Sequence, residues 1–416
     1  MAKDIIDDEH GRPPVPAATA EADASVAQEP SKIWNRAFIA IFATNVLVSI
    51  GLQMSNVLIG KYTDSLGATA AVVGIVSSAF AWSAIVFKLA SAPALDAFNR
   101  KFIVLGAIIA IGIAFLGFGI SGNVPELITF RLLQGAGQAF STTAFIAMAA
   151  DALPRERIGT GLGFFTLGAG IAQMVGPVIS LKVAAAGSYD TAFFIAAGFV
   201  GLGVVMCTQI KLKYKRPKGF KLSPKNFFAK EVLLAAIITF FVFACYSLVN
   251  PFLAIFAGQQ GIGSNISFFF TIYAGVLFVS RPLAGRLADR FGYLVLVPMM
   301  VLFIGSFFLI SVSHSLLAFL VAAVLFGFGY GGCQPVLQSM AMKMVPRERR
   351  GAGSTTNFLG SDLGNIVGPI VGGSIATTFG YSAMWQGMTV ALVISGVLVV
   401  VLRRAIVRQI DSVATA

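Results

Sequence analysis

Charged and amide side chains inside long apolar runs are where this sequence could do chemistry, because a bilayer penalises them unless they face water or a partner. Asp362 is the sharpest case. It lies about eleven residues into a run that starts near Gly351, roughly 17 Å deep at a helical rise of ~1.5 Å per residue. A carboxylate at that depth holds a proton more readily than in water unless a cation offsets its desolvation. It suits a proton-coupling site or a ligand for a cationic group. The alternatives are a buried pair with an arginine, or a bond to Asn365 and helix ends. Its first-half counterpart is Gly170, so the acid belongs to one half only. Arg131, Gln134, Gln138 and Thr142 follow at steps that place them on one helical face. Arg131 reads either as a cavity-lining cation that orients substrate or assists proton exchange, or as a clamp on backbone carbonyls between helices. Lys88 and Arg281 occupy matched positions before the loop aspartates Asp96 and Asp289. They could charge a cavity mouth and attract anions, or pair with nearby carbonyls and loop carboxylates.

Polar stripes accompany these charges. Asn45, Ser49, Gln53 and Asn56 cluster on one face of the first apolar run. Tyr330, Gln334 and Gln338 share a face of the tenth. Tyr246 and Asn250 lie on the seventh, beside Pro251, which is placed to break the helix. Each amide alone could join two helices. Lipid would penalise all four faces, so they are expected to look inward and to share an aqueous cavity. No nucleophile, base and orienting residue occur as a set, which argues against an enzyme.

The elements that carry these residues are read from composition. Of 416 residues, 57% are hydrophobic and 12% charged, too apolar for a water-soluble chain. Runs of bilayer length recur at about 37–59, 70–92, 102–121, 125–150, 158–183 and 191–210, then at 231–256, 267–287, 292–312, 316–342, 351–378 and 382–402. The expectation is an all-α polytopic membrane protein with twelve transmembrane helices in two six-helix bundles, 37–210 and 231–402. Residues 1–36 read as a disordered cytoplasmic tail, 211–230 as a basic cytoplasmic linker and 403–416 as a cytoplasmic C-terminal tail. The formal charge of +12 does not point to nucleic acid, because the basic residues fall in alternate loops. That asymmetry places both termini in the cytoplasm, in a plasma (inner) membrane. Cys207, Cys245 and Cys333 lie in apolar runs and read as small hydrophobes. His10 and His314 have no metal partner at ligand spacing, no cofactor is indicated, and no cleavable signal peptide precedes the first run near Phe38.

The halves repeat in sequence. Pro154-Arg155-Glu156-Arg157 recurs as Pro346-Arg347-Glu348-Arg349, and Val175-Gly176-Pro177 as Val367-Gly368-Pro369. Such internal repetition suits a transporter built from parallel repeats. The stretch from Gly285 to Gly292, with Asp289 and Arg290, reads as a short loop between two spans. It is echoed in the first half by Asp96, Arg100 and Lys101.

On these residues the chain resembles the major facilitator superfamily over about residues 36 to 404. The Gly285–Gly292 stretch resembles that family's cytoplasmic signature. Arg131-Leu132-Leu133-Gln134-Gly135-Ala136-Gly137-Gln138-Ala139 resembles its fourth-helix motif. Gly163 to Ser180, with Gly176 and Pro177, resembles the fifth-helix motif associated with antiporters, although Ala172 and Ser180 replace glycines. Gly368 and Pro369 provide a second copy in the other half. The resemblance implies a central cavity lined by the first, fourth, seventh and tenth helices, and a cytoplasmic gate formed by the loop motifs. It implies a monomeric secondary active transporter working by alternating access, with a small-molecule substrate and protons as partners. Proton-coupled efflux of a small amphiphilic drug or metabolite is the preferred mode. Uptake or exchange of an organic anion is the alternative, because Lys88, Arg131 and Arg281 outnumber Asp362. A non-transporting membrane sensor of the same fold is the reading from another class.

Overall fold

The computed structural model describes residues 33–154, 157–210, 228–346 and 349–414, apart from the side chains of Ala92, Asp96, Gly159, Asp411 and Ala414. The expected N-terminal tail up to residue 32, the linker from 211 to 227 and the Asp96 side chain therefore lie outside the described residues.

Helices dominate, and polar caps set where many begin. Helix α1 (Arg36–Ser65) starts at Asn35, whose side chain accepts from the Phe38 N–H and donates to the Ala152 carbonyl at the far end of α4 (Val124–Ala152). Thr69 caps α2 (Ala70–Ala97), and Asn99 caps α3 (Arg100–Ile120). At the start of α4, Asn123 accepts from the Glu126 N–H while Glu126 accepts from the Gly122 N–H, a reciprocal satisfaction of exposed donors. Helices α5 (Ile158–Ala185) and α6 (Tyr189–Thr208) complete the first half.

In the second half, α7 has two segments, Leu233–Tyr246 and Val249–Gln259. The break falls just before Pro251, whose ring opposes the carbonyl four residues back. Helices α8 (Ser267–Phe291), α9 (Leu296–Ser311) and α10 (Leu316–Lys343) follow. The stretch Arg350–Val401 is two helices, α11 (350–379) and α12 (381–401), joined at Gly380 with φ 85°. A short amphipathic helix, α13 (Arg403–Ala414), ends the chain and buries Ile406 completely. Among the described residues nine helical stretches are long and apolar enough to cross a membrane. Two of them, Gly263–Ser311 and Arg350–Val401, each hold two spans, and the more polar α4 adds one, which makes twelve.

One expectation about local structure is corrected. The stretch from Gly285 to Phe291 is not a loop: it forms the last turns of α8, and only Gly292, at φ 70°, makes the turn. Arg286, Leu287, Ala288 and Arg290 favour a helix, and cations near its C-terminus suit the dipole there. Gly285 is helical and faces open space, so its lack of a side chain is not required by the turn.

Two hydrophobic cores form, one in each half. The first holds residues from Phe38 to Ile210. The second holds residues from Ala229 to Ile406, joined by Val57, Ala70, Val73 and Leu181 of the first half. Those four lie where the bundles meet. The seam runs along α2 against α11, α5 against α8, and α1 against the second segment of α7. At one end of the molecule, which carries the α1–α2 and α11–α12 turns, the backbones touch. A methyl group at Gly74 would meet the Pro369 carbonyl, one at Gly373 the Ala70 carbonyl, and one at Gly60 the Pro251 backbone. The Ala71 N–H donates to Thr377 Oγ1 at 2.8 Å, and Lys182 lies over the Phe268 ring at 5.8 Å. This end is closed. The opposite end, where α2 meets α3 and α8 meets α9, is tied within each bundle rather than between them. Arg100 pairs with Asp151, and Arg349 with Glu231.

Candidate functional site

Between the bundles lies a cavity of about 270 Å³. Gln53 and Asn56 of α1, Lys88 of α2, Arg131, Gln138 and Thr142 of α4, Tyr246 and Asn250 of α7, and Asp362 of α11 all line it. It is polar on both sides of the seam and is capped at the closed end by Pro251 and Pro369. Phe80, Ser77 and Ala84 of α2 also line it. Sequence reading passed over these three because small or apolar residues in a span give no polar signal.

Lys88 and Asp362 form the link between the bundles nearest the open end. Lys88 Nζ donates to Asp362 Oδ2 at 2.7 Å, and the two side chains are 38% and 15% exposed. The pair is therefore wet on its lysine side, and solvent screens part of its strength. Lys88 lies eighteen residues past the start of α2, and Asp362 twelve past the start of α11. At ~1.5 Å per residue these depths place the pair near mid-helix in both. Phe358, one turn from Asp362, holds its ring 5.9 Å from the ammonium. Asp362 has a cationic partner, a lysine of the other bundle rather than the arginine considered as its alternative.

Arg131 is 1% exposed. Its Nη1 donates to Asn56 Oδ1 at 3.1 Å and Gln134 Oε1 at 2.9 Å. Its Nε reaches the Val76 carbonyl at 3.4 Å and Nη2 the Ser77 carbonyl at 3.2 Å. The guanidinium also lies over Phe80 at 5.0 Å. So the clamp on α2 carbonyls exists, and the same side chain borders the cavity. Gly135 makes this possible, because its bare Cα lets α4 approach the Phe80 carbonyl of α2. Replacing Arg131 with alanine removes four hydrogen bonds; the Val76 and Ser77 carbonyls keep their helical partners, but buried Gln134 Oε1 loses its donor, at about 1–3 kcal/mol for a group that water cannot reach. Arg131→Ala is therefore expected to lower the unfolding midpoint in detergent clearly more than Gln138→Ala does. Equal midpoints would mean the clamp carries little.

Several residues expected in the cavity sit behind its wall. Gln134 is buried as the acceptor for Arg131. Tyr330 is 3% exposed and stacks on Tyr246, with ring centroids 4.0 Å apart and planes 8° from parallel, so Tyr246 alone reaches the cavity. Gln334 accepts from Arg281 Nη2 at 2.9 Å inside the second bundle. Gln338 donates to Ser354 Oγ and accepts from Asn357 Nδ2, both at 2.9 Å, joining α10 to α11. Gln334 and Gln338 bond across helix contacts and Gln134 bonds within α4, which sequence spacing cannot distinguish from a cavity face. Asn45 is half-buried on the face of Gln53, two turns nearer the open end and beyond the cavity lining. Arg281 likewise does not line the cavity; its matched partner Lys88 does.

The motif residues have packing roles in this state. Gly176 admits α1 at Ile50 and Gln53, and Gly368 admits α7 at Ala244. Pro177 lies within α5. Lys101 Nζ donates to the Thr208 carbonyl at 2.7 Å, tying α3 to α6. Asp289 and Arg290 are exposed, and Arg290 rests over Phe291 at 5.2 Å.

Known proteins resemble this chain across most of its length. "Multi-drug resistance efflux pump PmrA" of Streptococcus pneumoniae is 25% identical over 372 residues, covering 86% of this chain and 93% of its own. "Multidrug resistance protein MdtG" of Escherichia coli is 24% identical over 380 residues, covering 85% and 90%. Among solved structures, a bacterial homolog of the human lysosomal transporter Spinster, in an inward-facing and occupied conformation, superposes with a TM-score of 0.74 at 16% identity, covering 89% of this chain and 97% of that one. The nucleoside transporter NupG superposes at 0.73 with 12% identity, covering 90% and 99%. The family model of the Major Facilitator Superfamily matches residues 41–351 and, in a second placement, 235–414. Two six-helix bundles around a polar cavity, relatives matched nearly end to end and this family match together make the chain a member of the major facilitator superfamily of membrane transporters.

Proposed function

We propose that this chain is a proton-coupled efflux carrier for small amphiphilic compounds, working by alternating access in the plasma (inner) membrane. The observation that carries the reading is the Lys88–Asp362 pair, which bridges the seam between the bundles on the wall of the cavity. The relatives named as multidrug efflux proteins support the direction of transport. The open end carries Arg36, Arg100, Lys101, Arg286, Arg290, Lys343 and Arg350, whereas the closed end carries little beyond Lys61 and Lys182. By the positive-inside rule the open end is cytoplasmic, as are both termini.

The cycle follows from one charge. With Asp362 ionised, its attraction to Lys88 holds α2 and α11 together, which favours closure at the outer end. When Asp362 takes a proton, the carboxyl becomes neutral, Lys88 keeps its ammonium, and the attraction is lost. The bundles can then part at the outer end and rock about the cavity. Gly285, Asp289, Arg290 and Gly292, with Asp96, Arg100 and Lys101, form the cytoplasmic gate that closes in that other state. The Asp289 side chain has no hydrogen bond or ion pair among the described residues, which suits a gate residue in a released position.

Purified protein in liposomes tests this reading. An imposed pH gradient should drive accumulation of an amphiphilic dye against its own gradient, and collapse of the pH gradient should stop it. Dye flux indifferent to the proton gradient would remove the coupling. Absence of flux for any solute, despite specific binding, would favour a sensor of the same fold.

A further inference from the structure

We infer that the substrate carries an anionic group, a carboxylate or phosphonate on an amphiphilic body, which supplies the counter-charge that the cavity walls lack. This rests on the transporter reading and specifies its substrate class.

The cavity is flanked by three cations and one acid. Lys88 and Asp362 neutralise each other. Arg131 and Arg281 remain. Neither forms an ion pair among the described residues, where the ion pairs found are Lys88–Asp362, Arg100–Asp151 and Arg349–Glu231. Every bond that Arg131 makes goes to a neutral amide or carbonyl. Those bonds hold the guanidinium in place without cancelling its charge. Arg281 binds only the neutral Gln334, and its Nε has no partner. Gln334 lies one helical turn from Tyr330, whose ring stacks on Tyr246 of the cavity wall. A positive charge thus stands on each side of the cavity, one per bundle.

An uncompensated cation inside a membrane is unfavourable, and a bound anion relieves two of them here at once. Of the buried polar atoms around the cavity without a partner, Ser77 Oγ and Gln134 Nε2 can donate, and Gln138 Oε1 accepts. A carboxylate accepts from hydroxyl, amide and guanidinium groups at once, whereas the carboxylate in the cavity lining, Asp362, is already held by Lys88. Tyr246 and Phe80 offer apolar faces for the rest of the molecule.

A charge-matched probe series decides the matter: a dansylated long-chain carboxylate, its primary amide and the trimethylammonium of the same chain length. Binding is read by dansyl fluorescence with the full chain in detergent, and flux in liposomes. The carboxylate should bind at least about tenfold more tightly than the amide, and the trimethylammonium more weakly than the amide. Arg281→Gln, which changes no cavity-lining residue, should cut the carboxylate-to-amide ratio by about threefold or more; Arg131→Gln should cut it further where it folds. Equal binding of all three probes, preference for the trimethylammonium, binding of none, or a ratio unmoved by Arg281→Gln would each overturn the assignment. Flux separates this from the transporter reading. A trimethylammonium that is carried while the carboxylate is not leaves a carrier with the wrong substrate class. A carboxylate that binds selectively but never crosses keeps the anion site and refutes transport.

Discussion

Asp362→Asn is expected to abolish proton-driven accumulation while leaving the protein folded and able to bind substrate. The substitution keeps the shape of the side chain and removes the negative charge, so Lys88 loses its partner across the seam. A fully buried pair broken this way would cost about 3–5 kcal/mol, and an exposed one about 0–1. With Lys88 38% and Asp362 15% exposed, the loss falls between, about 1–3 kcal/mol. A change of that size shifts a two-state equilibrium by roughly 5–150-fold toward separation at the outer end. The neutral amide also has no proton to exchange, so the equilibrium no longer answers to pH. Liposome flux at several external pH values measures this directly, and a variant that still follows the pH gradient would take Asp362 out of the coupling. The pairwise nature of the latch has its own check. Exchanging the two residues, Lys88→Asp with Asp362→Lys, should restore the outer-end closure that either single change weakens.

The second large effect is expected at Gly74. Its Cα faces the Pro369 carbonyl of the other bundle so closely that any Cβ would collide with backbone. Gly373 stands in the same relation to Ala70. Backbone cannot step aside as the tip of a side chain can, and overpacking in close-packed interiors typically costs about 1–3 kcal/mol. Gly74→Leu should therefore disfavour the state closed at the outer end and populate the one open there, with little loss of overall stability, because the contact exists in one state only. A cysteine placed at Asn250, on the cavity wall, would report it. Its alkylation by a membrane-impermeant reagent added outside should speed up about tenfold or more, the factor that ~1.4 kcal/mol allows. An unchanged rate would mean that α2 and α11 do not separate at this end during the cycle.

Much of this was legible in the residues, for physical reasons that differ by level. Spans were readable because a bilayer demands about 20 apolar residues, and the break in α7 because Pro251 cannot continue a helix ladder. Asp362, Lys88 and Arg131 stood out because charge within a span is rare. Which of the polar faces bordered the cavity was not legible. Gln53, Asn56, Gln138 and Asn250 reach it, while Gln134, Gln334 and Gln338 spend their hydrogen bonds on neighbours in the same bundle. Helical periodicity fixes a side chain's direction around its own axis, but not what the next helix places there. The pairing of Lys88 with Asp362 was hidden for the same reason: the two are 274 residues apart, and only the docking of α2 on α11 brings them together. The helical course of Gly285 to Phe291 was misread because a glycine before a polar run imitates a turn, when the turn needs only Gly292.

Distances across both ends of one molecule, measured by paired spin labels, test alternating access under proton control most directly. One pair, at Leu66 and Phe379, spans the closed end, and another, at Thr160 and Arg350, spans the open end. Acidification should lengthen the first distance and shorten the second, and Asp362→Asn should hold both at their acid values at every pH. Two distances that ignore pH, or that lengthen together, would contradict a carrier whose bundles rock about a cavity latched by Lys88 and Asp362.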